Sequence, residues 1–229
     1  MLAGPTASGK SAAALRLAER FGLDIVSADS MQVYVGMDVG TAKPSAEERA
    51  RVRHHLVDVV TPAEPFSVAD YVRAAEAAIG SVLAEGRSAL VTGGTGFYLR
   101  ALRSGLPTVP PADPEAQAPL WRMVEAGRLE ELIEELAVAA PQDAERAVLA
   151  RYPQQPTALQ GIGYKEVAAH LRGEITEAEA LEAVVVASRQ YAKRQRTWFR
   201  REQDARTLHG FGDSLGEVLE VWARAVLAR

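Results

Sequence analysis

Four residues near the start of this 229-residue chain have the types and spacing to hold a phosphate. Gly4, Gly9, Lys10 and Ser11 fit the pattern G-x-x-x-x-G-K-[ST] within GPTASGKS. The chemistry is direct. The backbone N–H groups from Gly4 through Thr6, Ala7, Ser8 and Gly9 curl around an anion, and the glycines permit the tight path. Lys10 supplies a mobile positive charge, and Ser11 can ligate a magnesium ion. A helix opening at Lys10 adds its N-terminal dipole. The motif identifies a phosphate and leaves the reaction open, because a kinase, a nucleoside triphosphatase and a transferase with a diphosphate leaving group need the same cradle. In the last, negative charge builds on the departing diphosphate as a C–O bond breaks, and Lys10, the amides and magnesium stabilise it.

Three other groups carry chemistry with a plain structural reading beside it. Asp29 stands just past a strand end, between Ala28 and Ser30 and ahead of Met31 and Gln32. It suits a proton acceptor or a water-mediated magnesium ligand, and equally an Asx cap of the next turn. Thr95, in Thr92-Gly-Gly-Thr-Gly-Phe-Tyr98, suits a hydroxyl donor to phosphate or a helix N-cap. His54 and His55 are adjacent near a strand start, so their side chains point to opposite faces and no third ligand at metal spacing accompanies them. In the helix expected over 177–201, Arg189, Lys193, Arg196 and Arg200 form one cationic stripe, with Arg194 and Arg201 beside it. Phosphates of RNA or of a small substrate would neutralise it; a solvated basic face is the alternative.

The elements that must position these groups alternate between helix and strand. A helix over 10–21 stops at Gly22; strands follow over 23–27, 55–60 and 88–92, with a helix from about Phe66 to Glu85 before the last. This order defines an α/β fold with a mostly parallel sheet, in which ligands bind beyond the carboxyl ends of the strands. A strand of about five or six residues is expected before a phosphate loop, and three residues precede Gly4. After the proline-rich stretch 106–114, helices are expected over 115–125, 129–139, 163–171 and 177–201. The last of these has a core face of Leu181, Val184, Ser188, Tyr191, Gln195 and Trp198. A final helix is expected to open at the capping box Ser214-Leu-Gly-Glu217, with Leu215, Val218, Leu219, Trp222 and Val226 at helical spacing.

Composition narrows the classes. With 48% hydrophobic residues the chain can bury a substantial core, and with no cysteine it has no disulfide, thiolate metal site or cysteine nucleophile. No apolar run approaches the roughly 20 residues of a membrane span, so no membrane partner and a cytoplasmic location are expected. The net charge of −4 hides a polarised distribution: Glu125 to Glu135 is acidic and Arg189 to Arg206 basic. Nothing in the composition points to an obligate protein partner.

These blocks together resemble the tRNA dimethylallyltransferases, also known as tRNA isopentenyltransferases. The likeness is carried by GPTASGKS (4–11), SADSMQVYVGMDVGTAKP (27–44), HHLVDVVTPAEPFSVADY (54–71), VTGGTGFYLRAL (91–102), GIGYKE (161–166) and RQYAKRQRTWFRR (189–201). The resemblance implies a P-loop-kinase-like core and transfer of a dimethylallyl group from dimethylallyl diphosphate to N6 of the adenosine just 3′ of the anticodon. It implies that the phosphate loop holds the diphosphate with Mg2+ as cofactor, and that Asp29 accepts the N6 proton. It places Thr95 near the bridging oxygen of the leaving group, Arg194 with Lys193 as a clamp on the diphosphate, and Gln32 near the target base. Lys165, Arg189, Arg196 and Arg200 then belong to the face turned toward the anticodon stem-loop of tRNA.

One departure stands out. From Asp143-Ala-Glu-Arg146 the chain passes through Tyr152-Pro-Gln-Gln-Pro156 directly to the Gly161 block. In the family this interval holds an arginine-containing helix and a stem-binding insertion. The expected organisation is a core of residues 1–105 and 157–229 and a helical segment, 106–156, leading into the site of a missing or disordered tRNA-binding insertion. Loss of that insertion would weaken tRNA affinity with the chemical site intact. Two other functions fit parts of the pattern. An ATP-dependent small-molecule kinase would need an arginine-rich lid, which Arg194 imitates, and a nucleoside pocket. A non-catalytic RNA-binding protein with a vestigial phosphate loop would show no turnover.

Overall fold

The computed structural model describes residues 1–38, 41–106, 161–171, 173–202, 205–208 and 212–227. These belong to one unit, Met1–Leu106 with Thr157–Arg229. The helices expected over 115–125 and 129–139 lie outside the described residues.

The elements are β1 (Leu2–Ala3), α1 (Lys10–Phe21), β2 (Leu23–Ala28), α2 (Ala46–Arg51), β3 (His54–His55), α3 (Val68–Ala84), β4 (Ser88–Gly93) and α4 (Gly96–Ser104). After residue 160 come α5 (Tyr164–Leu171), α6 (Glu177–Phe199) and α7 (Gly212–Leu227). The four strands form one sheet in the order β1-β4-β2-β3, and every pairing is parallel. A parallel sheet must be covered on both faces, and every residue of β2 is buried. The alternation of side chains along β2 and β4 divides the core. Val26, Ala28 and Val91 pack with Tyr71, Ala75 and Leu99 of α3 and α4, while Leu23, Ile25 and Leu90 pack with Leu17 of α1 and Leu219 of α7.

Local chemistry sets the element limits. α1 runs between Gly9 and Gly22, both in the left-handed region at φ 77° and 63°, which glycine adopts at little cost. α2, α3 and α6 open with capping boxes at Ser45/Glu48, Ser67/Asp70 and Thr176/Glu179, each satisfying two orphan N–H groups. The strand expected over 55–60 is cut to two residues. Leu56 and Asp58 take left-handed φ values of 62° and 58°, which turns the chain away from β2. The N–H groups of Asp58 and Val59 then bond to Gln32 O and Val33 O at 3.0 and 2.7 Å.

Two expected faces differ from what is observed. α7 begins at Gly212, so Ser214 lies inside its first turn and not at its cap position. On this helix Leu219 and Ala223 are buried, while Val218 and Val226 are exposed. On α6, Leu181 is exposed and Ala180 buried, and the Val184–Ser188–Tyr191 row expected against the core instead walls a cavity.

Candidate active site

The carboxyl ends of β1, β2 and β4 open onto a cavity of about 860 Å³. The phosphate loop forms one wall. Its path is bent by left-handed φ values at Ala7 (63°) and Gly9 (77°), and it is tied to the sheet by Gly4 N–H donating to Gly93 O at 3.4 Å. Gly4 is itself buried, and a Cβ there would lie 2.8 Å from the Ser8 hydroxyl. Thr6, Ala7, Ser8, Gly9, Lys10 and Ser11 line the cavity.

Asp29 faces this loop from the end of β2. Burial pushes its carboxyl up, against the Met31 and Gln32 N–H groups and the Lys10 charge, which pull it down. Lys10 is moved reciprocally: burial lowers its ammonium and Asp29 opposes that shift. The pair therefore senses one shared, poorly solvated space. Asp29 Oδ1 also accepts the Met31 N–H at 2.9 Å, so the Asx turn is real and coexists with an accessible carboxylate. A base raised by burial is the better proton acceptor.

Thr95 precedes α4 at its N-cap position but makes no side-chain cap bond. Its oxygen accepts the Ser30 N–H at 3.0 Å, which braces the turn carrying Asp29. The Tyr191 phenol hydrogen-bonds to Thr95 and Gln195, and burial together with the Asp29 charge raises its pKa. Gln32 lines the cavity with its carboxamide already engaged. Oε1 accepts from Ser27 Oγ at 2.9 Å, and Nε2 donates to Thr41 O and Ala42 O at 3.1 and 2.9 Å. The loop so gripped is also held by Lys43, 2% exposed, whose ammonium meets Tyr34 O, Asp38 Oδ1 and Asp58 Oδ1 at 2.6, 2.9 and 2.6 Å.

The last wall comes from α5 and α6. Lys165 and Arg194 line the cavity, and the Arg194 guanidinium lies 5.8 Å from the Tyr191 ring centroid, within cation–π range. A helix turns about 100° per residue. Arg194 therefore faces the cavity, while Lys193 is exposed and absent from its lining. Arg189, Arg196 and Arg200 are exposed on the outer side of α6, away from the cavity lining. The two histidines diverge: His54 Nδ1 donates to Val52 O at 2.8 Å beside the cavity, and His55 Nε2 meets Asp24 Oδ2 at 2.7 Å beneath the sheet end. Sequence reasoning missed Lys43, Tyr191 and Gln195. The signal for Gln195 was a carboxamide within an apolar helical row, where a buried polar group must find partners.

A parallel sheet, a phosphate-loop motif opening a helix and a carboxylate that shares a cavity with its lysine are the features of a P-loop enzyme. Residues 32–150 and 146–202 match the family described as IPP transferase. The tRNA dimethylallyltransferase of Thermus thermophilus is 43% identical, with 88% of this chain and 89% of that protein covered. That of Deinococcus radiodurans is 38% identical, with 90% of each covered. The full-length tRNA isopentenylpyrophosphate transferase of Bacillus halodurans superposes with a TM-score of 0.73 at 28% identity, covering 96% of this chain and 94% of that one. The chain belongs to the IPP transferase family. It is an enzyme of the tRNA dimethylallyltransferase type, which transfers a dimethylallyl group to tRNA near the anticodon. This sets aside the small-molecule kinase and the vestigial loop.

Family membership implies a divalent metal. The donors present suit a hard cation, which takes oxygen ligands. The Ser11 hydroxyl and the Asp29 carboxylate share the cavity, and the nearby Thr92 Oγ1 is buried without a partner. Among the described residues no helix is long and apolar enough to cross a membrane.

Proposed function

We propose that this chain transfers the dimethylallyl group of dimethylallyl diphosphate to N6 of the adenosine 3′ to the anticodon of tRNA, releasing diphosphate. The observation that carries this reading is one cavity lined both by the phosphate loop with Lys10 and, from the end of β2, by Asp29. An anion cradle and a proton acceptor then share one cavity, within reach of a single reacting carbon. The adenine amino group is a weak nucleophile, because its lone pair is delocalised into the ring. Catalysis accordingly leans on the leaving group. The C1–O bond breaks with its electron pair going to diphosphate, which the Ala7–Ser11 amides, Lys10 and Arg194 stabilise. The N6 lone pair forms the new C–N bond, and Asp29 takes the N6 proton.

The Thr95 hydroxyl, braced by the Ser30 N–H that it accepts at 3.0 Å, stands beside the leaving oxygen. Gln32 and Lys165 border the target base, with one Oε1 lone pair of Gln32 still open. Mg2+ on Ser11 would supply further neutralisation of the diphosphate charge. Arg189, Lys193, Arg196 and Arg200 present an exposed basic row suited to tRNA phosphates. The base must leave its stack, an extrusion cheapest in a single-stranded loop.

The test incubates the enzyme with unmodified tRNA, dimethylallyl diphosphate and magnesium, and reads the mass of the adenosine 3′ to the anticodon. The expected result is one added dimethylallyl group, with none when ATP replaces the allylic diphosphate. Modification at another nucleotide, or a phosphorylated product from ATP, would overturn the reading.

A further inference from the structure

Gln195 lies one turn beyond Tyr191 on α6 and is 6% exposed. A buried carboxamide has donors and acceptors to satisfy, and this one spends them on two loops far away in sequence. Its Oε1 accepts the Thr6 N–H of the phosphate loop at 2.7 Å, and its Nε2 donates to Gly94 O, in the turn that leads to Thr95, at 2.9 Å. The fit is steric as well as polar. A Cβ on Gly94 would stand 2.5 Å from Gln195 Nε2, and a Cβ on Gly96 would stand 2.5 Å from the Trp198 indole. The Gly94-Thr-Gly96 turn is thus a socket for two α6 side chains at i and i+3.

We propose that Gln195 is a positioning residue for the reaction, fixing the phosphate loop against the helix that carries Tyr191 and Arg194. The Thr6 N–H is committed to Gln195, so the anion cradle begins at Ala7. Arg194, one residue before Gln195, is held at a set distance from that cradle, and loop and guanidinium meet the same leaving group. The proposal rests on the reading above that the phosphate loop holds the diphosphate.

The test uses Q195E, which preserves shape and places a titratable group at the joint. A protonated carboxyl keeps both bonds between the loops: its C=O accepts from Thr6 N–H and its O–H donates to Gly94 O, with only the second amide hydrogen toward Tyr191 lost. An ionised carboxylate sets an acceptor against the Gly94 carbonyl, and burial disfavours that form. Relative to wild type at each pH, kcat/KM of Q195E for dimethylallyl diphosphate should lie within about threefold at pH 5.5 and fall at least about tenfold by pH 8. The KM for tRNA should stay within about twofold. Calorimetric titration with inorganic diphosphate and magnesium should show the same pH-dependent weakening in Q195E and not in wild type. A Q195E-to-wild-type ratio that is constant with pH in both measurements overturns the proposal.

Where Q195E shows no cooperative thermal transition at any of these pH values, Gly94→Ala carries the test, because its methyl group must displace the amide. Diphosphate binding weakened at least about fivefold supports the joint, and unchanged binding overturns it. Lys10→Ala separates this proposal from its premise. If it abolishes diphosphate binding while Q195E matches wild type, the positioning role alone fails; if it binds as wild type does, the phosphate-loop reading fails and takes the role with it.

Discussion

Two aspartates bracket the central strand, Asp24 near its start and Asp29 just past its end, and they have opposite fates. Asp24 is 1% exposed and saturated: Arg87 and His55 bond its two oxygens, and Arg53 stands 3.9 Å away. Asp29 opens onto a cavity, its cation is Lys10 across that space, and burial has raised its carboxyl. The amino end of the sheet spends a carboxylate on holding the fold. The carboxyl end leaves one underspent, which is the state that the proposed proton-acceptor role requires.

The comparison breaks if the two residues can be exchanged in effect. The largest expected change is from Asp29→Ala, which should cut turnover by about 10³-fold with diphosphate binding and thermal stability preserved; retained turnover would sink the proton-acceptor role. Asp24→Ala should do the reverse. It leaves Arg87 and His55 around an empty site and should cost about 3 kcal/mol of stability in denaturant titration, while the folded fraction keeps its kcat within about threefold.

The pH dependence sharpens the contrast. Asp29 acts ionised and its folded pKa is raised, so the single-turnover rate should fall as pH drops through a value above the ordinary 3.8, by about tenfold per unit below it. The same sign means that ionised Asp29 destabilises the fold at neutral pH and that protonation relieves the penalty. Asp29→Asn should therefore melt at or above the wild-type temperature at pH 7. The smallest effect is expected from Arg53→Ala. Its bonds to Glu85 are exposed and its reach to Asp24 is long, so less than about 1 kcal/mol should be lost. A larger loss would mean that charge count, rather than enclosure, holds the amino end together.

The sequence made much of this legible, and the gaps have physical causes. The phosphate loop, α1 between its glycines, β2 and β4 were all readable, because glycine position and apolar run length are local signals. β3 was overestimated because Val59 and Val60 are good strand formers, and nothing local reveals the left-handed turns at Leu56 and Asp58. α2 went unread for want of length, although the Ser45/Glu48 box marks its start, and of α4 only its opening at Thr95 was read. The α6 face was read as core because a cavity wall and a core face ask for the same small and apolar residues at the same spacing. Only its partners distinguish them, and these lie in other parts of the chain. For the same reason Asp24 and Asp29 could not be ranked by pattern.

The joint between Thr6 and Gln195 also has a consequence in time. It links residues 189 apart, and β1 pairs with β4 through Leu2 and Thr92. A ribosome adding about 5–20 residues per second needs roughly 10–40 s between making one half of this contact and the other. For about half of that interval the nascent chain carries its lysine and glycines without the neighbouring strand, and for all of it without the helix that meets them. The loop contact to Gln195 therefore closes only after the helix that carries it has been made, well after the loop itself.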